Sequence, residues 1–327
     1  MHQMATETPS GLALAMAKAE CPPEPPKMPP AGLGIRLKTT PRLRHWFPTR
    51  LVVARSVRRG KLLWERHDEV RERARAAIAP IVAGTTRAGE VEMLARQHVI
   101  EDMAHNALFW QPWKAANVEA ASAARLRAAF SAERGVLLSR CHMGPSFQSA
   151  SVGAAFGRTV YMVAGAWRFE EPTPNYWGRR VARTLQGYRS IGVRPFPAPG
   201  SFALIRALLE RHEIVLIAFD VPGDHETFFL AKPVMLATGT ARLAVQTGAL
   251  IVPIRPRRAG HRLWVDAEQS LDPHDFGGAD GLHRALATIH ERWILDLPAT
   301  LEDPHRAGFW ETGAKTDSWI RPREHAT

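Results

Sequence analysis

The chain has 327 residues, 45% of them hydrophobic, and a formal net charge of +11. It is long enough to bury a full core, and its length fits one large α/β domain or two smaller ones. The two cysteines, Cys21 and Cys141, lie far apart in the sequence, which excludes a disulfide framework and favours a reducing compartment. The positive charge, most of it arginine, predicts partners that bear phosphate, such as nucleic acid, anionic lipid or a nucleotide-containing thioester donor.

Membrane-spanning segments are not expected, because no stretch approaches the roughly 18 to 20 apolar residues needed to cross a bilayer. The apolar stretch from Leu12 to Ala17 lacks a basic n-region and is too short for a usual signal peptide, so we expect a cytoplasmic protein. The sequence contains ten tryptophans, several beside arginine or lysine, which would suit a peripheral membrane contact with the rings at headgroup level. Buried tryptophans with solvated arginines are the alternative.

The N-terminal part is predicted to be helical after a disordered arm. Residues 1–35 contain the run CPPEPPKMPP and no hydrophobic period, which is typical of a disordered, proline-rich arm. From Phe47 to about Ala79 the apolar residues follow a helical period, and Pro80 is expected to end that region. Two further helices are predicted, from about Ala88 to Trp110 and over residues 118–133.

Two polar groups could suggest a metal site, but each has a simpler interpretation. In the second predicted helix, Asp102 and His105 have the spacing of one half of a carboxylate-bridged site, which needs the motif twice, and the sequence offers no partner. A polar helix face accounts for them. His225 and Glu226 lie among aspartates, and a mobile polar loop accounts for that group. We therefore expect no metal.

From residue 134 onward, short apolar strands alternate with helices. The predicted strands are Val136–Leu138, Val160–Val163, Ile191–Phe196, Ile214–Phe219 and Leu250–Ile254, and the predicted helices include Ser201–Arg211, Ala241–Gln246 and Leu282–Leu297. This alternation predicts a mixed, largely parallel central α/β sheet flanked by helices, with functional residues at the C-terminal ends of strands. We expect one domain over residues 36–312, divided into a helical section (45–133) and a core (134–312), followed by a flexible tail (313–327).

One histidine stands at such a strand end. The first predicted strand leads to His142 in a Gly-Pro turn, and a later strand ends in Asp220. The chain contains no Gly-x-Ser-x-Gly elbow, Walker loop, dinucleotide fingerprint or zinc-spaced cysteine set, which argues against hydrolase, nucleotide-triphosphate and hydride-transfer chemistry. A histidine can take a proton from a hydroxyl near neutral pH, while arginines and a helix N-terminus hold phosphate. The combination predicts group transfer to a hydroxyl.

Two segments resemble a known family. The run VLLSRCHMGPSFQSA, around His142, resembles the active-site segment of the lysophospholipid acyltransferase superfamily, especially the bacterial late acyltransferases of lipid A biosynthesis and the phosphatidylinositol mannoside acyltransferases. The segment from Asp220 to Arg258 resembles the family's region in which an aspartate closes a strand and a Phe-Phe-Leu turn precedes a Thr-Gly-Thr helix start. Asn175 and the run Gly187-Tyr188-Arg189-Ser190 also fit, so the resemblance covers roughly Phe47 to Trp310.

The resemblance implies an acyltransferase-like fold in which His142 removes the proton from a hydroxyl of a lipid, glycolipid or similar acceptor. The oxygen then attacks an acyl thioester of acyl carrier protein or coenzyme A, which is a donor substrate, so no cofactor is expected. In the family, a carboxylate five residues after the histidine orients it, whereas this chain has Phe147 there. Asp220, Asp224 or Glu226 could replace that carboxylate, and Asp220 is favoured because it closes a neighbouring strand.

Substrate binding is assigned to basic residues and to a helix start. Arg189 matches a basic position between the family's two segments and is the first candidate for a substrate phosphate. Arg183 and Arg255 are further candidates, with a solvated basic edge as the alternative. The backbone N–H groups of Gly239 and Thr240 could bind phosphate or the developing oxyanion, or the threonine could simply cap the helix.

These observations predict a bacterial O-acyltransferase, peripheral at the inner face of the cell membrane, whose basic and aromatic surface contacts anionic lipid. Phe147 supports the alternative of a catalytically silent relative that binds acyl chains or membranes. Nucleic-acid binding is motivated by charge alone and no recognisable module supports it, so no nucleic-acid partner is expected. The sequence leaves the acceptor, the acyl chain length, the choice of carrier and the oligomeric state open.

Overall fold

The structure of the protein is a computed structural model that describes residues 9–20, 48–109, 114–170, 176–302, 304 and 310. Within these ranges four helices precede the sheet: α1 (Pro9–Glu20), α2 (Thr49–Arg66), α3 (Asp68–Val82) and α4 (Val91–Leu108). The strands are β1 (Asn117–Val118), β2 (Val136–Arg140), β3 (Val160–Ala164), β4 (Val193–Pro197), β5 (Ile214–Ala218), β6 (Pro222–Phe229), β7 (Lys232–Leu236), β8 (Leu250–Ala259) and β9 (Arg262–Ala267). The remaining helices are α5 (Ala120–Phe130), α6 (Tyr176–Ser190), α7 (Phe202–Glu210), α8 (Gly239–Thr247) and α9 (Ala279–Asp296), and a 3-10 run (Ser146–Phe156) connects β2 to β3.

Seven strands form the central sheet in the order β1-β9-β8-β2-β5-β3-β4. Strand β2 pairs in parallel with β5 and β8, β3 pairs in parallel with β5 and β4, and β9 runs antiparallel to β8. Alternate residues of a strand point to opposite faces, so Leu137 and Leu138 of β2 belong to two different core clusters. Helices α7, α8 and α9 and the N-terminal helices cover one face, and α5, α6 and the 3-10 run cover the other. The prediction of a mixed, largely parallel sheet flanked by helices is confirmed.

Helix α1 lies inside the arm that the sequence predicts to be disordered. Its Ala19 is fully buried and its Met16 packs against the core, so the prediction is wrong for residues 9–20. The predicted tail over residues 313–327 lies outside the described residues. None of the helices within the described ranges combines the length and the hydrophobicity that crossing a bilayer requires.

The long helical region after the arm is divided differently from the prediction. Helix α2 ends at Arg66, and α3 begins at Asp68 and continues through Pro80 to Val82. Proline removes one backbone hydrogen bond from a helix. The helix nevertheless continues because Ile81 and Val82 are fully buried in the core, and their burial stabilises the last turn.

A β-hairpin occupies the segment after Asp220 that the sequence predicts to be a polar loop. Strands β6 and β7 pair antiparallel, and the turn residues Leu230 and Ala231 have φ values of 55° and 60°. Hairpin turns need such left-handed residues and usually take them from an Asn-Gly pair, so the ordinary sequence signal is missing here. Phe229 and Leu236 are fully buried, and they fix the hairpin on the core.

Two histidines are buried in the core on either side of Phe219. His290 is fully buried, its Nε2 lies 2.9 Å from Ser139 Oγ, and its ring stacks on Phe219 with the centroids 4.9 Å apart. The ring of His283 lies 5.1 Å from Phe219, and its Nε2 lies 2.9 Å from Thr227 Oγ1. Burial lowers the pKa of His290 to about 3 and that of His283 to about 4. Both imidazoles are therefore uncharged near neutral pH.

The free energy of unfolding is expected to fall as the pH drops below about 6.5, because the unfolded chain then binds protons that the buried histidines do not. Each histidine contributes a slope of about 1.4 kcal/mol per pH unit between that pH and its lower folded-state pKa. His290→Gln should reduce the slope by about one such contribution, measured by urea unfolding between pH 7 and pH 5. The control Leu286→Ala, a core position without a titrating group, should keep the wild-type slope. Equal slopes for wild type and His290→Gln would contradict this account.

Candidate active site

The parallel pairing of β2 with β5 brings His142 and Asp220 together. Arg140 lies opposite Ala218 in the register of these strands, and each site residue lies two positions further along its chain segment. His142 Nδ1 lies 2.8 Å from Asp220 Oδ1, and the backbone N–H of His142 donates to Asp220 Oδ2 at 2.9 Å. The contact that the sequence predicts for Asp220 is therefore present.

Asp220 is a buried and ionised carboxylate, with 3% of its surface exposed. Burial alone would raise its pKa, but the charge and the hydrogen bonds of His142 outweigh burial, so the pKa of Asp220 lies below its ordinary value. An ionised carboxylate only accepts hydrogen bonds, so the neutral imidazole carries its proton on Nδ1. Nε2 is then the ring nitrogen that can accept a substrate proton, and the His142 side chain is 21% exposed.

A segment after α9 holds the loop that carries His142. The backbone N–H of Gly144 donates to the Thr300 carbonyl at 2.7 Å, and the N–H of Glu302 donates to the His142 carbonyl at 2.8 Å. Ser146 Oγ donates to the Glu302 carboxylate at 2.5 Å. The sequence offered no signal for this segment, because 156 positions separate Ser146 from Glu302 and no motif marks either end.

The other acidic candidates lie in different surroundings. Asp224 and Glu226 are exposed on β6, and the carboxylate that accepts the hydrogen bond from the imidazole is that of Asp220. Asp102 accepts a hydrogen bond from Asn106 at 3.0 Å on α4, in keeping with a polar helix face. Across the described ranges, no three His, Cys, Asp or Glu side chains are grouped so that they could hold a metal ion.

The predicted helix start lies near His142 and Asp220, which together form the dyad. Gly239 and Thr240 form the first turn of α8. The backbone N–H of Ala237 donates to the carbonyl of Val221 at 2.9 Å, so α8 begins close to the residue that follows Asp220. Asn175, which fits the family resemblance, lies outside the described residues.

The three arginine candidates differ in their environments. Arg255 lies 3.1 Å from a carboxylate oxygen of Asp266 and of Asp296, so two ion pairs engage it. Arg183 is half-buried in α6, where burial and a neighbouring arginine lower its pKa. Arg189 is exposed in the last turn of the same helix. Their roles in substrate binding stay predictions.

A polar cleft of roughly 220 Å³ opens at the edge of the sheet near the start of β9. Because β9 runs antiparallel to β8, its first residues lie at the same edge as the ends of β2 and β5. Lys114 Nζ contacts Thr49 Oγ1 there, and burial lowers the pKa of Lys114. The sequence did not indicate this cleft, because distant segments line it: Thr49, Leu108, Lys114, Ala115, Asn117, Gln148, His261, Arg262 and Leu263.

Comparison with known proteins gives a structural likeness only. No protein-family model matches the chain, and no curated protein matches it. Among solved structures, the chain is similar to the 1-acyl-sn-glycerophosphate (LPA) acyltransferase PlsC from Thermotoga maritima, with a TM-score of 0.37 and 12% sequence identity. The match covers 76% of this chain and 97% of the Thermotoga chain. Two chains with this degree of similarity need share no activity.

Gly144 is expected to be indispensable for the shape of the His142 loop. Its φ is +59°, and a Cβ atom there would lie 2.3 Å from the carbonyl oxygen of Pro256. Gly144→Ala should therefore destabilise the protein by about 1 to 3 kcal/mol, measured by urea unfolding. The control is Gly157→Ala, where φ is a similar +64° but the added Cβ atom meets no atom within 4 Å. This variant should lower the free energy of unfolding by less. An equal cost for both variants would show that the contact with Pro256 is unimportant.

Proposed function

We propose that this protein transfers a fatty acyl chain from an acyl thioester to a hydroxyl of a lipid, glycolipid or similar acceptor, with His142 as the general base. The observation that carries the proposal is the 2.8 Å contact between His142 Nδ1 and the buried carboxylate of Asp220, at the C-terminal edge of parallel strands. An imidazole held in this way can accept a proton through Nε2. The resemblance of the segments around both residues to acyltransferases supports the reaction class.

The proposed reaction forms an ester and releases a thiol. His142 Nε2 takes the hydroxyl proton while the oxygen attacks the thioester carbonyl, which gives a tetrahedral intermediate with a negative oxygen. Collapse of the intermediate breaks the C–S bond, and the imidazolium gives its proton to the thiolate of coenzyme A or acyl carrier protein. Asp220 stabilises the imidazolium between these steps, and backbone N–H groups of Gly239 and Thr240 are proposed to stabilise the oxyanion.

In this proposal Asp220 takes the place of the carboxylate that the family carries five residues after its histidine, where this chain has Phe147. A carboxylate from another strand serves the same purpose, because the imidazole responds to the position of the oxygen atoms and not to their place in the chain. The alternative, a silent lipid-binding relative, is supported by Phe147. The hydrogen bond between His142 and Asp220 favours the enzyme.

Acyl transfer is tested with radiolabelled acyl coenzyme A or acyl carrier protein and a lipid acceptor. His142→Ala should lower the turnover number by about 10²-fold to 10⁴-fold, because it removes the base. Asp220→Asn should lower it by about tenfold or more, because the amide no longer stabilises the imidazolium. Asp224→Asn neutralises an exposed carboxylate on β6 and should leave turnover unchanged. Equal turnover by wild type and His142→Ala would refute the proposed base.

We further propose that the outer face of α2 contacts an anionic membrane. The inner face of this helix buries Val53, Gly60 and Trp64. The outer face carries one exposed acid, Glu65, and six exposed basic residues: Arg50, Arg55, Arg58, Arg59, Lys61 and Arg66. In the described part of the chain, none of these six takes part in an ion pair. A face with this charge balance is attracted to anionic lipid headgroups.

The position of α2 supports this membrane contact. Thr49, its first residue, lines the polar cleft together with Gln148 of the 3-10 run that follows the His142 loop. A membrane bound along α2 would therefore lie near the sheet edge that carries the base. This arrangement suits a substrate that is delivered from the lipid surface.

Sedimentation with vesicles of phosphatidylglycerol and phosphatidylcholine tests the membrane contact. Neutralising Arg55, Arg58 and Arg59 to glutamine should weaken binding by about tenfold or more at low salt, because three charges leave one face. The control is a triple variant with glutamine at Arg206, Arg242 and Arg284, which are exposed on α7, α8 and α9. Wild-type binding should weaken as salt rises. If both triple variants lost vesicle binding to the same extent, the net charge of the protein would explain the binding, and α2 would be excluded as the contact.

A further inference from the structure

Arg140 is a buried cation at the end of β2, two residues before His142, and its side chain is 5% exposed. The alternation of side chains along β2 places Arg140 on the same face as Leu138, which α6 covers. Tyr188 of α6 is fully buried, and the charge of Arg140 acts on it. The guanidinium therefore lies between the sheet and α6, close to the base.

The guanidinium N–H groups of Arg140 have few hydrogen-bond acceptors around them. A guanidinium has five N–H donors. Nη1 reaches the Cys141 carbonyl oxygen at 3.4 Å, and the buried Nε meets no acceptor among the described residues. The charge of Arg140 acts on the carboxylate of Asp220, but the hydrogen bonds of that carboxylate are made by His142. A buried guanidinium with unused donors destabilises a fold unless another group compensates for its lost hydration.

A second guanidinium lies in the same layer. Arg168 is 7% exposed, and its charge also acts on Tyr188. The guanidinium carbon of Arg168 lies 4.5 Å from the ring centre of Trp167. Burial raises the pKa of Tyr188, so the phenol stays uncharged and gives these cations no counter-charge. Arg140 and Arg168 are therefore both buried on the α6 side of the sheet.

We propose that Arg140 binds an anionic group of the acceptor, a phosphate or a carboxylate, beside the His142 base; this inference rests on the proposed acyl transfer. The guanidinium fork matches the oxygen atoms of such a group with two parallel hydrogen bonds. Residues two apart at a strand end lie within about 7 Å along the chain, so the anion would sit near the reacting hydroxyl. In either thioester donor, the pantetheine arm separates the phosphate from the sulfur, which favours the acceptor as its source.

The proposal changes the order of the arginine candidates. Arg189, the first candidate from the sequence, is exposed at the end of α6, whereas Arg140 is buried beside the dyad. A buried guanidinium binds an anion more strongly than an exposed one, because water screens the attraction less. The acceptor class is accordingly a hydroxyl compound with an anionic group close to that hydroxyl.

Titration of the full-length protein with inorganic phosphate, followed by calorimetry, tests the site without an acyl-transfer assay. Arg140→Gln should weaken phosphate binding by at least about tenfold, and Arg140→Lys, which keeps the charge but loses the fork, should weaken it less. The control Arg134→Gln removes an arginine that pairs with Asp272 ahead of β2 and should bind phosphate like wild type. Unchanged affinity in a folded Arg140→Gln, or no binding by wild type, would overturn the proposal. If Arg140→Gln does not fold, wild-type affinity in Arg140→Lys would overturn it instead.

Steady-state acyl transfer then distinguishes the source of the anion. With a phosphate-bearing acceptor, Arg140→Gln should raise the KM for the acceptor by about tenfold or more and leave the KM for acyl coenzyme A unchanged. A higher KM for acyl coenzyme A alone would assign the anion to the donor and overturn the acceptor assignment. A fall in kcat alone would mean that Arg140 acts on the transition state and would also overturn it. If no variant transfers acyl groups, the proposed function fails, while the phosphate titration still decides the role of Arg140.

Discussion

The hydrogen bond between His142 and Asp220 depends on the parallel register of β2 and β5. Parallel strands bring their C-terminal ends to one edge of a sheet, so two residues 78 positions apart in sequence approach within 2.8 Å. Two further restraints act on the pair. Trp310 Nε1 donates to the Asp220 carbonyl at 3.0 Å, and the backbone of Glu302 donates to that of His142. The imidazole is thus positioned by several separate chain segments, and its orientation requires the intact sheet.

The second feature of the site is charge within an apolar environment. Asp220 and Arg140 are both almost fully buried at the ends of neighbouring strands, where interactions between charges are stronger than in water. Both carboxylate oxygens of Asp220 accept hydrogen bonds from His142, whereas most donors of Arg140 have no partner among the described residues. The two core clusters on either side of the sheet stabilise the fold and offset the unfavourable free energy of burying these charges. Near neutral pH the buried histidines, His283 and His290, add no charge to this interior.

The N-terminal helices connect the site with the protein surface. Helix α2 packs closely on α4, since a Cβ atom at Gly60 would lie 2.8 Å from the Cα atom of Ile100. This contact fixes which face of α2 turns outward, and that face is strongly basic. The amide of Gln148 donates to the Leu108 carbonyl at the end of α4, at 2.9 Å. The basic face, α4 and the 3-10 run after the His142 loop are therefore linked by direct contacts.

The sequence alone predicts that β2, β3, β4, β5 and β8 alternate with helices, that the sheet is largely parallel, and that His142 and Asp220 lie at strand ends, because hydrophobic periodicity and turn residues are local signals. It favoured Asp220 among three carboxylates that could face the imidazole, but the contact itself depends on which strands are neighbours in the sheet. The hairpin at Leu230 and Ala231 was missed because tertiary burial imposes a turn that its residues do not favour. The restraint from Glu302 and the lack of partners for Arg140 likewise arise only when distant segments pack together. Local chemistry singles out His142, and tertiary packing places Asp220 beside it.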